Sequence, residues 1–438
     1  MRPMTGRNTW SLRAPGRLLM SALAALAVSA ALLTAAEAAT TRTLKRFEGP
    51  DGKWPSAGLV MGAGGVLYGT TRTGGSMNFG TVFSLTPPAE GGNRWRHRVL
   101  HNFASVDGSE PFGDLVLDPG GALFGTTSEG GPGRGVVFRL TPPAEGKNKW
   151  KMTTLHSFQG GADDGLIPIG GVIRASDGTL FGTTLAGGAE SLGTAFMLSP
   201  PAQPAGTWKF RLLTTFVGGK DGSQPNGALT LDADGALFGT TTHGGTVNCD
   251  CGTVFMLTAP VAASAADVRA RWKKSILHRF TGLPDGNSPH SALVGDGTGA
   301  YYGTTYLGGS FDWGTVFKLV PPGMESTKWK LTKLTEFVGT DGYGPLFYGP
   351  LAIDENGTLF GTTQNSRIVE TSGTVFSLTP PATGKRWRYR TLHKFRTDGT
   401  EGHTPDATVI RDPQGRLFGT TVLGTGDFSM GTVFQVTP

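Results

Sequence analysis

The chain has 438 residues, 69 of them glycine and 28 proline, with 38% hydrophobic and 16% charged residues. That apolar share excludes a disordered chain, and two cysteines in so long a sequence exclude a fold held by disulfide staples. Setting aside the four Arg and one Glu of residues 1–38 takes the formal charge from +6 to +3, too near neutrality to single out nucleic acid as a partner.

In chain order, Arg2, Arg7, Arg13 and Arg17 precede an apolar run from Leu18 to Ala36, and Ala36-Glu37-Ala38 supplies a small-residue exit. These parts predict a secretory signal cleaved after Ala38, leaving a secreted or periplasmic protein that starts at Ala39 and keeps no membrane anchor. No cysteine follows the run directly, so no lipid anchor is expected.

The remainder is repetitive. Tyr68-Gly69-Thr70-Thr71 returns with an aromatic residue at Phe124, Phe181, Phe238, Tyr302, Phe360 and Phe418, each followed by Gly-Thr-Thr, at spacings of 56, 57, 57, 64, 58 and 58 residues. A second signature follows each, seen first at Gly80-Thr81-Val82-Phe83 and last at Gly431-Thr432-Val433-Phe434. In the second copy the predicted strands are Asp114–Leu117, Ala122–Thr127, Gly135–Leu140 and Trp150–Phe158. Asp118-Pro119-Gly120-Gly121, a glycine-rich loop and Pro142-Pro143 separate them. Short connections make the neighbours antiparallel. Such four-stranded sheets bury both faces by packing against one another around an axis.

Thr43 to Phe47 matches a fourth strand alone, with Leu44 and Phe47 in the places of Leu100 and Phe103, while the C-terminal end supplies three strands. Six full copies and this remainder predict an all-β, seven-bladed β-propeller of four-stranded antiparallel blades, one domain over residues 39–438, its ring closed by the N-terminal strand. The Leu-Phe-Gly-Thr-Thr, Gly-Gly, Gly-Thr-Val-Phe and Leu-Thr-Pro-Pro unit resembles the choice-of-anchor GloVer tandem-repeat family of exported bacterial proteins, over residues 42–438. The resemblance implies export and repetition, and it implies no catalytic residue.

An Asp-Gly pair precedes each first strand, at Asp51, Asp107, Asp164, Asp221, Asp285, Asp341 and Asp398. One carboxylate per loop is too few for calcium, which needs six to eight oxygens, so these read as turns; no metal and no cofactor are expected. Trp95, Trp150, Trp208, Trp272, Trp329 and Trp387 open fourth strands among Lys and Arg. On an outer edge such charge prevents edge-to-edge pairing and the Trp packs between blades, so no nucleic-acid partner is expected. Cys249-Asp250-Cys251 lies in one loop with His243. A short disulfide is expected in an oxidising compartment, a thiolate–His243 metal site or free thiols being the alternatives.

Loops after second strands and before first strands emerge at the same end of a meander, so a ligand site is expected there. After the loop proline the copies read Ser56, Phe112, Ile169, Asn226, His290, Leu346 and Asp406, of which only His290 ordinarily titrates near neutral pH. With His243, Tyr306, Asp312, Trp313 and Tyr348 it makes the candidate ligand-binding set. Trp54 and Trp313 are the tryptophans of residues 39–438 outside the framework. Imidazole, phenol and carboxylate beside exposed aromatic rings suit sugar stacking with proton transfer. The leading expectation is a monomeric binding scaffold for an extracellular glycan or protein partner. An extracellular lyase or glycosidase with its site at the channel mouth, and a self-packing surface layer, are the alternatives.

Overall fold

Turn signals every few residues divide each repeat into four strands. In blade 1 they are Val60–Met61, Leu67–Thr71, Thr81–Thr86 and Arg96–Asn102, hydrogen-bonded in that order from the axis outward. The computed structural model describes residues 39–438 apart from 91, 204–205, 261–271, 324–325, 339–349, 365–371, 397 and 425–429. The expected signal segment, and with it Asp341, Leu346 and Tyr348, lies outside the described residues.

The same four-stranded antiparallel sheet forms seven times, giving a seven-bladed propeller. Blade 7 takes Ile410–Arg411, Leu417–Thr421 and Thr432–Thr437 from the end of the chain and its outer strand, Thr40–Arg46, from the beginning. Register runs from Thr40 opposite Thr437 to Arg46 opposite Thr432. In blade 2 the first strand is only Val116–Leu117, shorter than expected from Asp114. The residues before it lie against the next blade: an added Cβ on Gly113 would stand 2.4 Å from the Gly171 nitrogen, so neighbouring main chains converge where a sheet edge would otherwise extend.

Alternating apolar residues on the middle strands fill the space between blades, and each junction holds a buried cluster. The phenylalanine that ends each outer strand meets, edge to face, the Phe of the third strand in the next blade. Phe103–Phe138, Phe216–Phe255 and the closing pair Phe47–Phe83 have centroids 5.3, 5.0 and 5.2 Å apart. Such pairs add about 0.5–1.5 kcal/mol to what burial alone contributes. The framework tryptophans pack on the second-strand aromatic of the preceding blade, as in Trp272–Phe181 at 5.8 Å and Trp95–Phe418 at 6.0 Å. At the junction of blades 6 and 7, Ala39 packs where the other blades have Trp, beside Phe360.

The threonine pairs have separate tasks. The first hydroxyl donates to an inner carbonyl of the next blade: Thr183 to Gly227 at 3.0 Å, Thr240 to Ser291 at 3.0 Å, and Thr420 to Ala57 at 3.0 Å across the closure. The second ties its own third strand to its own loop, as Thr241 does with Thr253 Oγ1 at 2.8 Å and the His243 carbonyl at 2.9 Å. The buried hydroxyls of these threonine pairs are thereby satisfied.

In most of the described Asp-Gly turns, the carboxylate accepts a backbone N–H and also meets a base of an outer strand. Asp107 takes Ala104 N–H at 2.9 Å and His101 Nε2 at 2.9 Å; Asp285 takes Thr281 N–H at 2.9 Å and His278 Nε2 at 2.8 Å. In blade 7 this place belongs to Glu401, bonded to Arg396 N–H at 3.0 Å and His393 Nε2 at 2.9 Å. Asp398 makes a turn as expected, but a separate small one onto Thr400, three residues early. Among the described residues no group of three or more His, Cys, Asp or Glu is placed to hold a metal, and no helix is long and apolar enough to cross a membrane.

Candidate functional site

The two loop sets do converge, and they do so by pairing: Lys53 bridges Thr73, Ser109 bridges Glu129, Ser223 bridges His243, Asn287 bridges Leu307 and His403 bridges Leu423. The residue before each described loop proline is held in the left-handed region, at φ +55° for Trp54, +53° for Glu110, +58° for Ile167, +55° for Gln224, +54° for Ser288 and +59° for Thr404. Its N–H reaches the previous blade and its carbonyl accepts from its own blade, as when Trp54 N–H meets the Met430 carbonyl at 2.9 Å and Arg72 N–H meets the Trp54 carbonyl at 3.0 Å. These two bonds over-determine an unfavourable conformation. They also fix the next two residues, proline and the variable residue behind it, at the mouth of the ring.

The variable residues meet partners from the position after each threonine pair. His290 lies 5.8 Å from the Tyr306 ring, edge to face, and its Nδ1 has a long contact of 3.4 Å with Asn226 Nδ2. The same amide donates to Thr242 Oγ1 at 2.9 Å, while the buried Asn226 Oδ1 has no partner among the described residues. Burial, helped by the nearby His243, holds His290 down at about 4, so it is neutral at physiological pH.

On the other side of the mouth Gln364 Nε2 donates to Asp406 Oδ1. Burial pushes Asp406 up to about 7, against the opposing pull of Gln364 and of Arg72. Arg72 itself bonds Glu110 Oε2 through Nε at 3.0 Å and Nη2 at 2.9 Å, and its guanidinium lies 4.5 Å from the Phe112 ring centroid. Just before the inner strand of blade 2, Asp114, its carboxyl raised by burial, accepts Gly58 N–H at 2.6 Å. The expectation that His290 alone titrates near neutral pH is therefore reversed. The same desolvation that favours a neutral imidazole favours a neutral carboxyl, and it brings Asp406 into that range.

Of the predicted set, His243, His290 and Tyr306 come together at the junction of blades 4 and 5. His243 pairs with Asp250 Oδ2 at 2.9 Å. Asp312 and Trp313 serve other purposes. Asp312 takes φ +57° and accepts Gly308 N–H at 2.7 Å, the turn that Asn78 makes with Gly74 in blade 1. That turn sends Trp313 inward against the cluster between blades 5 and 6, so it is no exposed platform for a sugar; Trp54, 40% exposed, is the framework-free tryptophan that faces solvent. Tyr348 lies outside the described residues. Cys249 and Cys251 are joined as a disulfide within the blade 4 loop, and the Cys251 carbonyl accepts Ser288 N–H at 2.9 Å.

Replacing Asp406 by Asn tests its environment. A folded-state value near 7, above the usual carboxylate range, means that the contribution of this group to stability is full below about pH 4 and is lost as pH rises through 7. Asp406→Asn keeps the acceptor for Gln364 and removes the titration. Its melting temperature should exceed wild type by a few degrees at pH 8 and match it at pH 4. The same difference at both pH values would refute the assignment.

A profile of the Gloeobacter/Verrucomicrobia repeat matches residues 31–151, 133–274 and 268–438. No curated protein matches the sequence. Among solved structures, a protein from Bacteroides uniformis, provisionally assigned as a 6-phosphogluconolactonase, is 15% identical with a TM-score of 0.50, over 78% of this chain and 86% of its own. PorZ, a surface component of the type-IX secretion system of Porphyromonas gingivalis, is 14% identical with a TM-score of 0.44, over 82% of this chain and 44% of its own. An oxidoreductase from Thermus thermophilus, provisionally a glucose dehydrogenase, is 15% identical with a TM-score of 0.42, over 75% of this chain and 96% of its own. Likenesses of this order concern the fold alone. The profile spans nearly the whole chain, and the protein belongs to the Gloeobacter/Verrucomicrobia repeat family.

Proposed function

We propose that the protein is an exported binding scaffold whose loop face holds an extracellular glycan at the mouth of the ring. One observation carries this reading: at equivalent, rigidly held positions of a repeating frame the side chains differ in kind, as Ser56, Phe112, Ile169, Asn226, His290 and Asp406. A frame that served packing alone would repeat its residues there as it repeats its threonines. The mixture of amide, imidazole, phenol, hydroxyl and aromatic ring suits a neutral, hydroxyl-rich ligand. Export rests on the basic, apolar and small-residue segments of residues 1–38.

A glycan array identifies the ligand, and His290→Ala and Tyr306→Ala should then weaken its binding about tenfold or more while leaving the melting temperature within a few degrees. A blank array with folded protein, or full binding by both variants, would sink the proposal. A second reading, an extracellular polysaccharide lyase or glycosidase, draws support from the neutral pH range in which Asp406 titrates. Product release from the bound glycan, abolished in Asp406→Asn, separates it from simple binding.

A further inference from the structure

The seven outer strands carry sixteen Lys or Arg residues and a single acid, Glu336. Edge protection accounts for charge at these positions and leaves its sign open, since Glu blunts a strand edge as well as Lys does. A chain with 33 acids could have mixed the signs, and like charges crowded on one wall repel each other. Ion pairs with described acids engage Lys45 with Asp51, Lys274 with Asp221 at 2.6 Å and Lys333 with Glu336 at 2.5 Å. Arg46 and Arg279 donate to the carbonyls of Thr400 and Lys220, which orients each guanidinium without neutralising it.

At the closing seam a groove of about 740 Å³ opens on this wall, between the outer strands of blades 7 and 1. Lys45, Arg46, Arg94 and Arg96 line it, against one acid, Glu48, with Trp95 and Leu44 as apolar surface. His97 adds no charge there, because burial and the neighbouring Lys45 hold it down at about 4. A second recess of about 390 Å³ holds Arg46 and Arg396 against one acid, Glu401, which His393 already engages. Arg46 thus belongs to both recesses, and the basic surface continues along the wall.

We propose that this groove, with the basic wall beside it, binds a linear acidic polysaccharide bearing carboxylates along its length. Guanidinium forks match carboxylates in two-point contacts, and alternate residues of one strand, such as Arg96 and Arg98, set charges about 7 Å apart in a row. Nucleic acid is the less suitable polyanion, because it needs ring faces for its bases. The outer-strand rings are already in use: Phe210 stacks on His156 at 4.0 Å and Tyr389 on Phe376 at 5.5 Å.

Polygalacturonate is the probe, with uncharged pullulan and single-stranded DNA beside it, in about 50 mM salt where exposed charges are least screened. Wild type should bind polygalacturonate, lose it as salt is raised, and ignore pullulan. R94Q/R96Q removes two exposed groove charges and should weaken binding about tenfold, while K151Q/K209Q, on the outer strands of blades 2 and 3, should cost less than about threefold. Melting curves show that both doubles are folded. No binding by folded wild type, equal losses in the two doubles, or tighter binding of DNA would each overturn the proposal.

Discussion

Removing residues 39–47 lowers the melting temperature by more than about 15 °C or leaves no cooperative transition. The deletion takes the outer strand of blade 7 and its ladder to Thr432–Thr437, together with Leu44 and Phe47 from the cluster that joins blade 7 to blade 1. Phe47 is 5% exposed and faces Phe83 across the seam, so its loss alone costs about 3–5 kcal/mol. The third strand of blade 7 would become a bare edge carrying Val433 and Phe434. Differential scanning calorimetry of the truncated and full-length forms checks this, with excision of the exposed residues 145–147 as the control. A truncated form melting within about 2 °C of the full-length protein would show that the ring does not depend on its closing strand.

Gly239→Val should be nearly as damaging. The glycine of the second strand lies under the third-strand phenylalanine of its own blade, and a Cβ at Gly239 would stand 2.5 Å from the Phe255 ring and 3.0 Å from Leu229, both buried. Neither can retreat, since Phe255 is also held edge to face by Phe216. Overpacking of this kind costs about 3 kcal/mol or more. Urea denaturation should show the midpoint falling sharply for Gly239→Val and unchanged for Gly323→Ala, whose added methyl meets nothing within 4 Å. Equal midpoints for the two variants would mean that the close approach at Gly239 is not structural.

The blades were legible because one sequence unit, written seven times, exposes its own strand boundaries, and because Thr43–Phe47 repeats only a fourth strand. Burial at the mouth was not legible in the same way. The position after the loop proline could be read off the repeat, yet the direction in which His290 and Asp406 titrate depends on desolvation by neighbouring blades. Trp313 was misplaced because its direction is set by the left-handed turn at Asp312, which an aspartate does not announce. Asp398-Gly399 imitates the turn of Glu401 three residues earlier, and the bonds to His393 and Arg396 N–H distinguish them.

The pairing of Thr40 with Thr437 also has a meaning in time. As the chain emerges, Thr40–Arg46 has no ladder partner until Thr432–Thr437 follows, so blade 7 can close only after the chain of the other six blades is made. Contacts so distant in sequence make the final step slow, because the whole intervening chain must already be compact before the two strands find each other. Through that interval Thr40–Arg46 stands as an unpaired edge. Its three bases, Arg42, Lys45 and Arg46, keep it soluble while it waits, whatever else they do once the ring has shut.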